Sequence, residues 1–153
     1  MSDERTSPDI YDPATDPPLT DLVVCSDLVA AKQPEEVIIS QIEQFGYSED
    51  AVFGIKLALE EAMTNAVRHG NRHDASKRIR VRYAVSPRRV IIFVADEGAG
   101  FCPEEVPDPT APENIERPNG RGIMLINAYM TRVSYNAAGN EVRMMKANER
   151  WAP

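Results

Sequence analysis

Apolar positions first recur at a period that marks structure in Leu22-Val23-Val24-Cys25, a short run between Asp21 and Asp27 that predicts a strand. A helix is predicted from Pro34 to Phe45, where Val37, Ile38, Ile42 and Phe45 fall on one face and Pro34 suits a first turn. Gly46 ends it. Ser48 is placed to cap a second helix, with Glu49 and Asp50 favourable in its first turn. That helix runs to about His69. Its stripe is Val52, Ile55, Leu59, Ala62 and Ala66, and Gly70 is the expected C-terminal cap.

The period then changes from 3.6 to 2. Ile79, Val81, Tyr83 and Val85 alternate with Arg78, Arg80, Arg82 and Ala84, which predicts a half-buried strand with a basic outer face. Ser86-Pro87-Arg88-Arg89 supplies a turn. Val90–Ala95 is continuously apolar, as a central strand buried on both faces would be. Residues 97–119 are irregular, with Pro103, Pro107, Pro109, Pro112 and Pro118, and a structureless loop of that length is usually functional. A helix over 122–130 and strands over 132–136 and 141–146 complete the pattern. The predicted order is β-α-α-β-β-loop-α-β-β. Short turns between consecutive strands require antiparallel pairing, so the fold class is α/β. It is a two-layer sandwich of mixed, mainly antiparallel sheet with helices on one face.

Composition narrows the class. The chain has 153 residues, 42% hydrophobic and 27% charged, which fits one globular domain. No 18-residue apolar run exists, and the start Met-Ser-Asp-Glu-Arg has no apolar secretion segment, so a cytoplasmic protein is expected. Cys25 and Cys102 are expected as free thiols. His69 and His73 lack the further ligands a zinc site needs. The net charge of −7 argues against nucleic acid as a partner. Residues 1–19 carry four prolines and five acids against Arg5 alone, and are expected as a disordered tail. The domain is then 20–150. Residues 68–89 hold eight Lys and Arg against Asp74. That stretch is either a docking face for an acidic protein or the solvated side of a strand.

Three segments carry candidate chemistry. Glu61 and Asn65 are four apart, hence on one helical face, and suit a general base and an oxygen ligand for Mg²⁺. Asp96-Glu97-Gly98-Ala99-Gly100 ends the apolar strand. Its glycines let a planar ligand approach the backbone, and Asp96 can accept from an exocyclic amine. Asn119-Gly120-Arg121-Gly122 precedes a helix, where free N–H groups and the dipole favour phosphate, with Arg121 adding charge. Each alone has a plainer reading: a polar helix face, an acidic turn, a loop-to-helix junction.

Taken together and in this order, the three segments resemble the GHKL ATPase superfamily, which has the Bergerat, or histidine-kinase-like ATPase, fold. Within it the chain is most similar to the small anti-sigma regulatory factors, which are serine/threonine protein kinases. Glu61-Ala62-Met63-Thr64-Asn65-Ala66-Val67-Arg68-His69-Gly70 matches that family's N box closely, and the likeness covers about residues 20–148. The resemblance implies that Glu61 is the catalytic base and Asn65 the Mg²⁺ ligand, while Asp96 reads the adenine amino group. It further implies that Gly98 and Gly100 form the first glycine box, that Gly120, Arg121 and Gly122 lie beneath the phosphates, and that residues 101–119 form the ATP lid. His69 and Gly70 are expected to be structural. No phosphotransfer helices or sensor domain are expected, which separates the chain from ordinary histidine kinases.

Two features depart from the family pattern. Where relatives carry a Thr near the start of the last strand, this chain reads Gly139-Asn140-Glu141-Val142-Arg143. The lid is acidic, with Glu104, Glu105, Asp108, Glu113 and Glu116, which are expected to face solvent. The resemblance implies ATP and Mg²⁺ as cofactors. It implies a STAS-domain anti-sigma-factor antagonist as substrate, a sigma factor as a second partner, and a homodimer. The alternatives are a non-catalytic, nucleotide-gated switch of the same fold, or an interaction domain without nucleotide.

Overall fold

The computed structural model describes residues 7–98 and 125–152. Five strands form one sheet: β1 (Thr20–Cys25), β2 (Arg78–Val85), β3 (Arg89–Ala95), β4 (Arg132–Tyr135) and β5 (Glu141–Ala147). Their spatial order is β1-β2-β3-β5-β4, and every neighbouring pair is antiparallel. The expected mixed character is therefore absent among the described residues. β4 and β5 form a hairpin that returns β5 to the side of β3. The apolar strand β3 is central, as its composition predicts, because its two faces both need cover.

Two helices pack on one face: α1 (Lys32–Ile42), extended by a short 3₁₀ turn (Glu43–Phe45), and α2 (Glu49–Asn65). Gly46 stops the first with φ of 73°, a left-handed conformation that glycine adopts at no steric cost. Ser48 caps the second, its Oγ accepting from the Ala51 N–H at 3.0 Å. Ile38, Ile42, Ile55 and Leu59 meet Ile79, Val81, Ile92 and Met144 in a core with essentially no solvent exposure. A helical segment, α3 (residues 125–129), closes the layer. Its Tyr129 ring lies against Gly54, where an added Cβ would stand 3.0 Å from the ring, and meets Phe53 edge-on at 6.4 Å. Residues 122–124 of the predicted third helix lie outside the described residues, as do the lid 101–119 and Cys102.

The other face of the sheet has a cover that the composition did not reveal. Residues 7–19, expected as part of a disordered tail, run across it. Ile10 is 3% exposed and packs with Ala84, Ile91, Phe93 and Met145, flanked by Tyr11 and Leu19. The physical reason is the burial of β3 on both sides together with one partner distant in sequence. Arg89 donates through Nε to Asp16 Oδ1 at 2.9 Å and through its terminal nitrogens to the carbonyls of Pro8 and Asp9. Both charged side chains are more than nine-tenths buried. Burial opposes the charge on Asp16, but the Arg89 guanidinium and the Asp12 N–H hold its carboxyl below the usual aspartate range. The expected boundary at residue 20 thus divides segments that pack together.

The basic face of β2 is paired rather than freely solvated. Arg80 bonds the Asp21 carboxylate from β1, with Nε at 2.9 and 3.0 Å from its two oxygens. Arg82 and Arg143 share Glu141, at 3.0 and 2.8 Å, and sit over the Phe93 ring at 5.1 and 5.5 Å.

One carboxyl pair couples the helices. Burial, and then the neighbouring Glu60 carboxyl, push Glu35 of α1 up to about 7, against the opposing Lys56 and Lys32. A group raised in the fold contributes stability that is full below its unfolded value of 4.5 and lost as pH climbs through about 7. Glu35→Gln is expected to remove that decline, measured as urea-unfolding midpoints across this window. An unchanged slope would place the loss elsewhere.

Candidate nucleotide site

The first segment of the site lies on the last turns of α2. Glu61 and Asn65 are both half-buried and one turn apart, about 6 Å along the axis. After Asn65 the helix widens into a π turn (Ala66–Gly70), closed by the Asn71 N–H to the Ala66 carbonyl at 2.8 Å. Such turns are frequent at functional sites, because the extra residue redirects the chain. The expected cap at Gly70 is corrected here. Asn71 ends the helix, Gly70 has no positive φ, and the left-handed residues are Arg72 and His73.

Gly70 is needed for another reason. A Cβ there would stand 2.2 Å from Asp96 Cγ and 2.2 Å from Asp96 Oδ2. A Cβ on Gly98 would stand 2.1 Å from the Gly70 carbonyl oxygen. The end of α2 and the segment after β3 therefore touch backbone to backbone, with the Asp96 carboxylate held between them. Gly98 N–H donates to Asp96 Oδ1 at 2.7 Å. Burial raises the Asp96 pKa above the usual aspartate value, opposed by that N–H and by Lys77.

Two further residues build this junction, and the motifs did not point to either. Asn71 has no solvent exposure. Its Nδ2 donates to the Arg78 carbonyl at 3.0 Å, and its Oδ1 accepts from the Glu97 N–H at 2.8 Å. The Glu97 carboxylate accepts from the Arg78 N–H in return. Asn140, in the turn between β4 and β5, gives its carbonyl to the Asp96 N–H at 2.9 Å and its Nδ2 to the Gly98 carbonyl at 3.3 Å. Asn136 shapes that turn by accepting from Asn140 N–H and Glu141 N–H. Neither residue carries a signal in the local sequence, because the segments each one joins meet only in the fold.

The structure packs Gly70, Asp96 and Gly98 together, and Glu61 and Asn65 lie on the turns of α2 that precede this contact. Gly100, Gly120, Arg121 and Gly122 lie outside the described residues. The donor chemistry fits a nucleotide and its metal. Asn65 and Glu61 offer hard oxygens of the kind Mg²⁺ takes. Asp96 offers a carboxylate acceptor beside a backbone without Cβ atoms at 70 and 98.

Residues 29–146 match the histidine kinase-like ATPase domain. The chain is 31% identical over 129 residues to the serine-protein kinase RsbW of Bacillus subtilis, covering 74% of this chain and 79% of that one. It is 29% identical over 116 residues to the RsbW of Oceanobacillus iheyensis, covering 68% and 73%. The crystal structure of the RsbU and RsbW domains of a Mycobacterium tuberculosis protein superposes with a TM-score of 0.56 at 18% identity, over 86% of this chain. The chain spans about a third (32%) of that longer protein, and this likeness concerns the fold. The protein belongs to the histidine kinase-like ATPase family. Relatives of similar length include RsbW serine-protein kinases.

Burial of Asp96 links the stability of the fold to pH. Because burial favours its neutral form, its contribution to stability is full below the usual value of 3.8 and falls as pH rises through its raised value. Asp96→Asn keeps the acceptor for Gly98 N–H. It is expected to hold or raise the melting temperature at neutral pH and to flatten the pH dependence. A marked drop in melting temperature would show instead that the charge stabilises the fold.

Proposed function

We propose that the chain binds ATP with Mg²⁺ at the junction of α2 and the Asp96–Gly98 segment, and is a protein serine/threonine kinase. Its proposed substrate is a STAS-domain anti-sigma-factor antagonist, and the phosphorylation controls how much sigma factor the kinase itself holds. The single observation that carries this reading is the seat of Asp96. A carboxylate is kept half-buried between two glycines, where burial raises its pKa and one oxygen accepts from the Gly98 N–H. The serine-protein kinase relatives, with similar lengths, support the same chemistry.

Each residue has a role in this proposal. Asp96 accepts from the adenine amino group and selects the base. Asn65 supplies a carboxamide oxygen to Mg²⁺. Glu61, one turn away, takes or orients the proton of the incoming serine hydroxyl. Gly100, Gly120, Gly122 and Arg121 are proposed to line the phosphates, through backbone N–H groups and one guanidinium. Bound ATP supplies the phosphoryl group, and the protein's contribution is positioning and charge neutralisation. Among the described residues no helix is long and apolar enough to cross a membrane. A cytoplasmic homodimer that meets protein partners is part of the same proposal.

Incubation with Mg-ATP and candidate STAS partners is expected to add about 80 Da per phosphate to the partner, read by intact mass. Glu61→Ala is expected to lower that rate about 10²–10⁴-fold while calorimetry still detects the nucleotide. If partner control survives Glu61→Ala undiminished, the protein is a nucleotide-gated switch rather than a kinase. Asp96→Asn is expected to abolish the calorimetric signal, and its persistence would remove the proposed role of Asp96.

A further inference from the structure

The segment 7–19 shows what the outer face of the sheet recognises. Its described backbone hydrogen bonds are internal: Ile10 and Tyr11 N–H to the Ser7 carbonyl, and Thr15 and Asp16 N–H to the Asp12 carbonyl. It adds no strand to the sheet. It is attached by side chains and by Arg89. Ile10 fills the apolar patch, Tyr11 meets Phe93 edge-on at 6.3 Å, and Asp16 pairs with Arg89. Tyr11 Oη donates to the Pro17 carbonyl at 3.1 Å, which folds the segment back on itself before β1. Removing it would break no ladder bond. It would uncover an apolar patch of Ala84, Ile91, Phe93 and Met145, edged by Arg82, Arg89 and Arg143.

This face is held by side-chain packing and one ion pair from the chain's own N-terminal segment. The occupant's chemistry is specific: an aliphatic–aromatic pair, Ile10-Tyr11, between Asp9 and Asp12, followed by an acid four residues on that enters the Arg89 fork. Charge complementarity sets the class of any competitor, because departure of the strap takes Asp16 from the Arg89 guanidinium, while Arg82 and Arg143 at the rim stay paired with Glu141. The central strand under the patch, β3, also delivers Asp96 at its far end. Displacement would therefore act on the strand that carries the proposed nucleotide contact.

We propose that the outer sheet face is a docking site for an acidic segment of a protein partner that carries an aliphatic–aromatic pair, and that residues 7–19 are a displaceable strap occupying this site in cis. This inference stands apart from the nucleotide reading and does not depend on it. In partner docking the strap leaves as one unit, because its described backbone-to-backbone bonds are internal and its backbone carbonyls at Pro8 and Asp9 are tied to the sheet through Arg89 alone. The Arg89 fork then passes from Asp16 to an acid of the partner.

The test uses the full chain and a fluorescent synthetic peptide of residues 7–19 as probe, with binding followed by anisotropy. The unmodified chain is expected to bind the peptide weakly, since its own strap competes. Ile10→Asp, which loosens the strap, is expected to bind at least tenfold more tightly, and adding Arg89→Gln is expected to remove the gain. A peptide with Asp9, Asp12 and Asp16 replaced by Asn is expected to bind at least tenfold less well. Binding that ignores Ile10→Asp or Arg89→Gln overturns the proposal. Hydrogen exchange on the unmodified chain needs no variant: amides of Tyr11 and Asp16 are expected to exchange well before those of β3. Equal protection would make the strap a fixed part of the fold and defeat the idea. A concentration-dependent dimer in sedimentation, lost in Ile10→Asp, would mean that two copies exchange straps, and would overturn docking of a different protein.

Discussion

The burial of β3 on both faces is the constraint on which the rest of the structure depends. Val90, Ile92 and Val94 point toward the helices, while Ile91 and Phe93 point the other way. A strand apolar on both sides is unstable in a sheet with one side wet, so two covers are required. Helices α1 and α2 provide the first. The strap provides the second, over only the part of the outer face that is apolar. The remainder is closed by charge, with Arg82 and Arg143 over the Phe93 ring and both paired with Glu141. Central placement also decides where the chain leaves the sheet. Asp96 follows the last residue of β3 at the end where α2 finishes.

That coincidence creates the site, and it is enforced by sterics. Two segments can pass at backbone distance only where both lack a Cβ, and Gly70 and Gly98 meet that need. The carboxylate between them is partly desolvated, which favours its neutral form and costs stability at neutral pH. Sites commonly trade stability for a preorganised group in this way. Asn71 and Asn140 make the arrangement rigid from two sides. One ties the Glu97 N–H to the start of β2, and the other ties Gly98 to the hairpin of β4 and β5. Buried amides of this kind are worthwhile only when their donors and acceptors are met, and the two functional groups of Asn71 both are.

The distribution of charge follows the same division. A net charge of −7 describes an acidic protein, yet several of its acids meet arginines within the fold. Asp9, Asp12 and Asp16 gather at Arg88 and Arg89, and Asp21 meets Arg80. The basic strand face that alternation predicts exists, but Arg80 and Arg82 on it are engaged by acids from β1 and β5, and Arg78 reaches Cys25 Sγ at 3.5 Å. Docking by steering and simple solvation were the two readings of that stretch. Ion pairing within the fold is what the described residues display.

Much of the architecture was legible in the residues themselves. Periodicity of 3.6 and 2 located α1, α2 and all five strands to within a few residues, because burying one face of an element imposes its period on the sequence. Ser48 and Gly46 marked helix ends through local backbone chemistry that needs no distant partner. The helical spacing of Glu61 and Asn65, and the acid and glycines after β3, were visible for the same reason. What the sequence could not decide was anything that depended on a partner far along the chain. The strap looked disordered because proline and acid content report on local ordering cost, while its anchor, Arg89, lies 73 residues from Asp16. Gly70 looked like a helix cap because its true neighbour, Asp96, is brought to it only by the sheet. Asn71 and Asn140 carried no local pattern, since their work is to join segments separated by 26 and 42 residues. Local periodicity thus determined the elements of this protein. Their close approach in three dimensions alone decided which polar groups are buried, which glycines are obligatory and what covers the second face of the sheet.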